Sequence, residues 1–178
     1  NQANLPFPGK GAKALEVGCG RGNFLVLLRE LGLEVEGIET GRRLVEECVR
    51  DRGLLVHHDT VRSLERPDAS YDLIFAFHVL EHLEKPSEFF EKALRLLRPG
   101  GFLVVEVPTP DLSKASHLQK MHPHHGYANI GHLHYFTPIT MPKYFERFGF
   151  ELIASYEYRT DALPSGGFLG RKPEQTRL

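Results

Sequence analysis

What this chain lacks narrows its function before any motif is read. No apolar run approaches the ~20 residues needed to cross a bilayer, which argues against a membrane partner. No block of Lys and Arg stands out, and the net charge over 178 residues is −1 with neutral histidines. The electrostatic footprint of a dedicated nucleic-acid binder is missing, so a small-molecule partner is expected and no nucleic acid. The two cysteines, Cys19 and Cys48, have neither CxxC spacing nor an obvious bridge. That usage fits a reducing cytoplasm, and a buried structural role is expected for both. The opening Asn-Gln-Ala-Asn-Leu-Pro-Phe-Pro carries no basic-then-apolar signal pattern, and a cytoplasmic location is expected.

What is present is ordinary in bulk and informative in order. Apolar residues at 41% and charged residues at 25% suit a globular protein, and the length suits one domain over residues 1–178. Strand and helix signals alternate: Ala14 to Val17, Asn23 to Leu31, Glu34 to Glu39, Arg42 to Arg50, Leu54 to His57, Tyr71 to Phe77, Ser87 to Leu97 and Phe102 to Val107. This alternation predicts a parallel sheet covered by helices, an α/β fold. A further helix is expected from Thr137-Pro138 and a strand from Phe150 to Tyr158, with a last short strand faintly legible at Gly166 to Arg171.

The most informative stretch is Lys13-Ala-Leu-Glu-Val-Gly-Cys-Gly-Arg-Gly-Asn-Phe24. An apolar strand runs into three close glycines and then into a helical pattern, the construction of a nucleoside-binding turn. Gly18 and Gly20 match the first two glycines of the dinucleotide fingerprint, but the third position holds Asn23, so the turn alone leaves the cofactor open. Turn amides and a helix N-terminus are expected to face the ligand. Glu39 closes the second strand twenty-one residues after Gly18, where a carboxylate can accept from both ribose hydroxyls. Asp59 follows the third strand, where it can accept from an adenine amine or simply cap its own turn. Glu16, Gly18, Glu39, Asp59 and Phe77 would all face one crevice at the carboxyl ends of the strands.

Four segments together carry a family resemblance: Leu15-Glu-Val-Gly-Cys-Gly-Arg-Gly22, Gly37-Ile-Glu39, Tyr71-Asp-Leu-Ile-Phe-Ala-Phe-His-Val-Leu-Glu-His-Leu83 and Leu97-Arg-Pro-Gly-Gly-Phe-Leu-Val-Val105. In this order and spacing they resemble the motifs of class I S-adenosylmethionine-dependent methyltransferases. The resemblance implies a Rossmann-like, doubly wound, mostly parallel sheet with helices on both faces, its core at 13–158. It implies S-adenosyl-L-methionine as cofactor, with Glu16 and the turn Gly18, Cys19 and Gly20 holding the methionine part. Glu39, with Thr40 beside it, would hold the ribose, and Asp59 and the backbone at Thr60 the adenine. Phe77 and His78 would follow the fourth strand, where a main-chain carbonyl accepts from the methionine ammonium. His82 is expected to stabilise its local turn. The expected activity is methyl transfer to an O, N or C atom of a small-molecule acceptor; a cofactor-binding module without catalysis and an NAD-linked oxidoreductase are the rivals.

Six of the ten histidines, His117, His122, His124, His125, His132 and His134, fall within eighteen residues of a variable loop at 108–136. The segment lacks a His-Glu-x-x-His pattern and a carboxylate after Asp111, so no metal is expected. Its stretch from Asp111 to Tyr127 is expected to be a mobile lid. Gly131-His-Leu-His-Tyr-Phe-Thr-Pro138 resembles the His-containing Tyr-Phe-Thr segment of methyltransferases acting on small metabolites and sugars. By that resemblance His132 is the general base, while Tyr135 and Phe136 pack the helix start. His132 and His134 would share one face of an extended segment. Displacement from a sulfonium is in line, so the protein must align donor and acceptor and, for a hydroxyl or carbon acid, take a proton.

Overall fold

The computed structural model describes residues 8–109, 131–158 and 165–174. Its elements are β1 (Lys13–Val17), α1 (Asn23–Glu30), β2 (Glu34–Glu39), α2 (Arg42–Arg52), β3 (Val56–His58), β4 (Tyr71–Phe77), α3 (Pro86–Leu96), β5 (Leu97–Pro108), α4 (Thr140–Arg147), β6 (Glu151–Tyr158) and β7 (Ser165–Arg171). They form one seven-stranded sheet in the order β3-β2-β1-β4-β5-β7-β6. Strands β1 to β5 are parallel, and β7 runs antiparallel between β5 and β6.

The central strands are mostly apolar because helices cover both faces. On one face Leu15, Ile74, Leu103 and Val105 pack beneath α3 and α4. Pro86 opens α3 in its first turn, and Phe89, Phe90, Ala93 and Leu96 put one buried stripe on the sheet. Phe90 stacks on Phe148 just past α4, ring centroids 5.5 Å apart. On the other face Leu28 of α1 packs over Leu73 and Phe75, and Phe24 meets Phe75 and Phe77 edge-on at 4.9 Å each. Cys19 and Cys48 are free thiols buried with Leu25, Leu54 and Val56, the structural role expected of them.

Most bounds shift by a residue or two from the sequence reading, and at β5, α4 and β7 the difference has a local reason. β5 starts at Leu97, directly on the end of α3, because Leu97 pairs with Tyr71 and the ladder slips between Tyr71 and Leu73. Arg98 holds that slip, donating from Nη1 to both Asp72 oxygens at 2.7 Å. α4 begins at Thr140, not Thr137, because Thr137 Oγ1 accepts from the amides of Ile139 (3.3 Å) and Thr140 (3.0 Å) and makes a capping turn. The last strand, faint in sequence, is a full seven-residue β7 paired on both edges. Its glycines leave the room that the Tyr156 ring takes against Gly167 and the Phe145 ring against Gly170.

Strand order reverses between β1 and β4, since β1 continues outward to β2 and β4 to β5. Such a switch point opens a crevice at the carboxyl ends of the strands.

Candidate cofactor and acceptor site

A cavity of about 440 Å³ occupies that crevice, within the range typical of small-molecule sites. Of the residues picked from sequence, Gly18, Glu39, Thr40, Asp59, Thr60 and His78 line it, with apolar walls from Val17, Ile38, Val61 and Val79. Glu16, Cys19, Gly20, Phe77 and His132 do not line it.

The glycine turn is tied to β2, not presented to a ligand through its amides. Gly18 and Cys19 N–H both donate to the Ile38 carbonyl, at 2.9 and 3.1 Å, and Gly20 N–H donates to Glu39 Oε2 at 2.9 Å. This corrects the expectation that these amides face the ligand. Space is what the turn offers: Gly20 has φ +52°, and a Cβ there would meet nothing within 4 Å. At Gly18, φ +70°, a Cβ would stand 2.6 Å from Val79 Cγ2, so glycine is needed for packing as well as for backbone angle.

Glu39 is the clamp of this arrangement. Its Oε1 accepts from Gly41 N–H at 2.8 Å and faces Thr40 Oγ1 at 3.4 Å, while Oε2 holds Gly20. A carboxylate has about four lone-pair sites, so acceptor capacity remains on the cavity side. Asp59 caps its own turn, the second of the two roles foreseen for it. It lines the cavity, and its Oδ1 takes Thr60 N–H at 2.7 Å and the Ser63 hydroxyl, which holds its carboxyl below the usual range.

Glu16 is 5% exposed at the end of β1, and its Oε2 has no hydrogen-bond partner among the described residues. Burial alone pushes its carboxyl pKa up to about 8. Cys19 lies close enough that burial and the Glu16 charge both push its thiol far above the ordinary range, so it is an inert thiol and not a nucleophile. Phe77 turns its ring to the α1 face against Phe24.

His78 follows β4 in a left-handed conformation, φ +54°. Its Nε2 stands 3.1 Å from Glu106 Oε1 and its Nδ1 3.5 Å from Glu81 Oε1. Glu81 above all, then Glu106, raises its pKa and favours the imidazolium. Just beyond, one 3₁₀ turn (Leu80–His82) anchors the second part of the histidine segment. The Glu81 carbonyl accepts from Leu133 N–H at 2.7 Å and His134 N–H at 3.2 Å, and His82 Nδ1 donates to the Gly131 carbonyl at 2.9 Å. The His132 ring stands edge-to-face on His82, centroids 4.7 Å apart. Burial holds the His132 pKa below the usual range, against an opposing pull from Glu81.

His132, His134 and Phe136 do share the inward face of 131–136, and Leu133 and Tyr135 face outward. Phe136 packs on Tyr144 as expected, whereas Tyr135 is exposed and does not pack the helix start. The sequence reading missed Glu81 and gave His82 only a local role. His82 lines the cavity; the available signal was its place four residues after His78, at the mouth of the switch-point crevice. His117, His122, His124, His125 and the expected lid lie outside the described residues.

Fold and site together define a Rossmann-like domain of the methyltransferase class. A family model described as "Methyltransferase domain" matches residues 2–155, and the chain belongs to that family of class I S-adenosylmethionine-dependent methyltransferases. It is 33% identical over 99 residues to a "Probable S-adenosylmethionine-dependent methyltransferase" of Mycolicibacterium smegmatis, covering 55% of this chain and 38% of the relative. It is 29% identical over 104 residues to a ubiquinone biosynthesis O-methyltransferase of Roseobacter denitrificans, with coverage of 56% and 42%. A tRNA U34 carboxymethyltransferase of Idiomarina loihiensis is 29% identical over 164 residues, with coverage of 86% and 50%. The chain thus spans half or less of the length of these relatives. A crystal structure of a methyltransferase from Methanosarcina mazei superposes with a TM-score of 0.79 at 18% identity, covering 95% of this chain and 96% of that one.

Proposed function

We propose that this domain binds S-adenosylmethionine in the switch-point cavity and transfers its methyl group to an O, N or C atom of a small-molecule acceptor. The observation that carries the reading is the convergence of Gly18, Glu39, Asp59 and His78 from the ends of four different strands on one cavity. The residues present fit the cofactor. Glu16 Oε2 is a buried acceptor lacking a donor among the described residues, the place above Gly20 is open, and Glu39 keeps lone pairs for ribose hydroxyls. Apolar walls at Ile38 and Val61 suit adenine, with Asp59 and Thr60 at their edge.

When bound, the cofactor supplies an electrophilic methyl group on a sulfonium. The chain's own residues do the rest. Glu39 keeps Gly20 in place and accepts from the ribose. Glu16 and the main chain at Phe77 accept from the methionine ammonium. His132, whose pKa burial lowers, would take the proton of a hydroxyl or carbon-acid acceptor. Net charge −1 and the absence of a basic block support a small acceptor over a nucleic acid, as does the likeness to a ubiquinone biosynthesis enzyme.

The test is transfer of a labelled methyl group from the cofactor to fractionated cell extract. Label in the small-molecule fraction is expected. Label in tRNA would overturn the acceptor class, and tight cofactor binding with no transfer in any fraction would mark a binding module.

A further inference from the structure

The histidine segment has no carboxylate of its own near His132, but the fold brings one from fifty residues upstream. Glu81, His82 and His132 each offer a ligand atom, and these atoms lie within 4.8 Å of one another. We propose that these three residues bind one divalent transition-metal ion of the zinc class, with its open positions turned to the cavity, where an oxygen of the acceptor can complete the coordination.

Four observations support the site. Glu81 is 1% exposed, and neither of its carboxylate oxygens accepts a hydrogen bond among the described residues. A buried carboxylate in that condition costs several kcal/mol unless a cation compensates it; His78, 3.5 Å from Oε1, does so only in part, since Glu106 competes for the same imidazolium. The His82 ring is held in place through one of its nitrogens. In the neutral ring, Nδ1–H on the Gly131 carbonyl leaves the lone pair on Nε2, and a ligand histidine held by a backbone carbonyl is the usual supporting arrangement. Two imidazoles and a carboxylate form the donor set of open, three-ligand zinc sites and of two-histidine facial sites. Finally, His82 lines the cavity, so the free positions of the ion face the acceptor's place and not the core. At metal–ligand bonds of ~2.1 Å, tetrahedral ligand atoms stand about 3.4 Å apart. Closing from the observed separation takes shifts of about 1 Å in side chains on a 3₁₀ turn and an extended segment.

This inference rests on the reading of this end of the cavity as the acceptor's end. With the ion bound, the His132 nitrogen is a ligand in place of the base, and a hydroxyl held and acidified by the metal gives its proton to water. Loss of turnover in His132→Ala is expected in either case, so the test reads the ion itself.

Tag-free protein of the full chain is titrated with Co²⁺ and followed by visible absorption, in a background where His117, His122, His124 and His125 are replaced by Ala. One equivalent of cobalt should bind with the ligand-field bands of a four- or five-coordinate site, and Zn²⁺ should displace it. His82→Ala and His132→Ala should each weaken binding by on the order of 100-fold while S-adenosylhomocysteine still binds; Glu81→Gln keeps the buried volume and should do the same. No cobalt band, or a band that survives both histidine variants, would overturn the site. Failure to find methyl transfer would leave the cobalt result standing, so the two readings are separable.

Discussion

Binding of the cofactor should expel a proton from Glu16, and the size of the effect follows from its burial. With a pKa of about 8 in the free protein, Glu16 is about nine-tenths protonated at pH 7. An ammonium placed against Oε2 favours the carboxylate and drives that proton off. At pH 7 Glu16 should therefore release about 0.9 proton on binding and near pH 9 only about 0.1, where uptake by the ligand's own amine exceeds it. Affinity should rise by about tenfold per unit between pH 6 and pH 8, then stop rising as the ligand's own ammonium begins to titrate near pH 8. The same residue sets a stability trend in the free protein. Its folded pKa lies above the unfolded 4.5, so the folded state keeps a proton that the unfolded chain releases. That contribution is complete below about pH 4.5 and is lost progressively up to about pH 8. At pH 7 the loss is about 3 kcal/mol, from 1.36 kcal/mol per unit over about 2.5 units. Glu16→Gln, which keeps the shape without the titration, should be more stable than the parent at pH 7 by up to this amount and no different near pH 4. Calorimetric titration with S-adenosylhomocysteine in buffers of different ionisation enthalpy reads the proton count, and denaturant unfolding at the two pH values reads the stability. Proton release from the Gln variant equal to that of the parent, or a Gln variant less stable at pH 7, would refute the reasoning.

Further expectations concern the turn, its clamp and the base. Gly20→Val should stay folded by circular dichroism yet lose cofactor binding, because the side chain enters open ligand space and opposes φ +52°; a folded variant that still binds would show that the turn is not the cradle. Glu39→Ala should cost about 2–3 kcal/mol of cofactor affinity by calorimetry, and more than Asp59→Ala, since it also frees Gly20 N–H from its partner. With an acceptor in hand, His132→Ala should lower kcat by roughly 10²–10⁴-fold with cofactor affinity intact, whereas His134→Ala should act on stability; the reverse ranking would assign the base to His134.

Much of the fold was legible because periodicity and punctuation agree. Glu34–Glu39 and Tyr71–Phe77 have the bounds read from sequence, and Pro86 marks the start of α3. β7 was faint because Ser165-Gly-Gly-Phe-Leu-Gly-Arg171 has loop composition; its glycines answer to the rings of Tyr156 and Phe145, contacts set by tertiary packing alone. The start of β5 was hidden by Pro99-Gly-Gly101, which reads as a stop but here sits inside a slipped ladder. Of the residues that line the cavity, residue type and strand-end position pointed to Gly18, Glu39 and Asp59, and the family resemblance to His78. They did not show that the turn amides are already bonded to β2, because that depends on the path of Ile38 and Glu39 beside the turn. Glu81 escaped for a similar reason: nothing near it in the chain says that residues 131–134 return to pair with its carbonyl.

The central claim, that the switch-point cavity is an S-adenosylmethionine site, is tested most directly by calorimetric titration of this chain with S-adenosylhomocysteine and NAD in parallel. The account predicts micromolar binding of S-adenosylhomocysteine, about −8 kcal/mol, and no comparable binding of NAD. NAD binding as tight, or no binding of S-adenosylhomocysteine by folded protein, would contradict it.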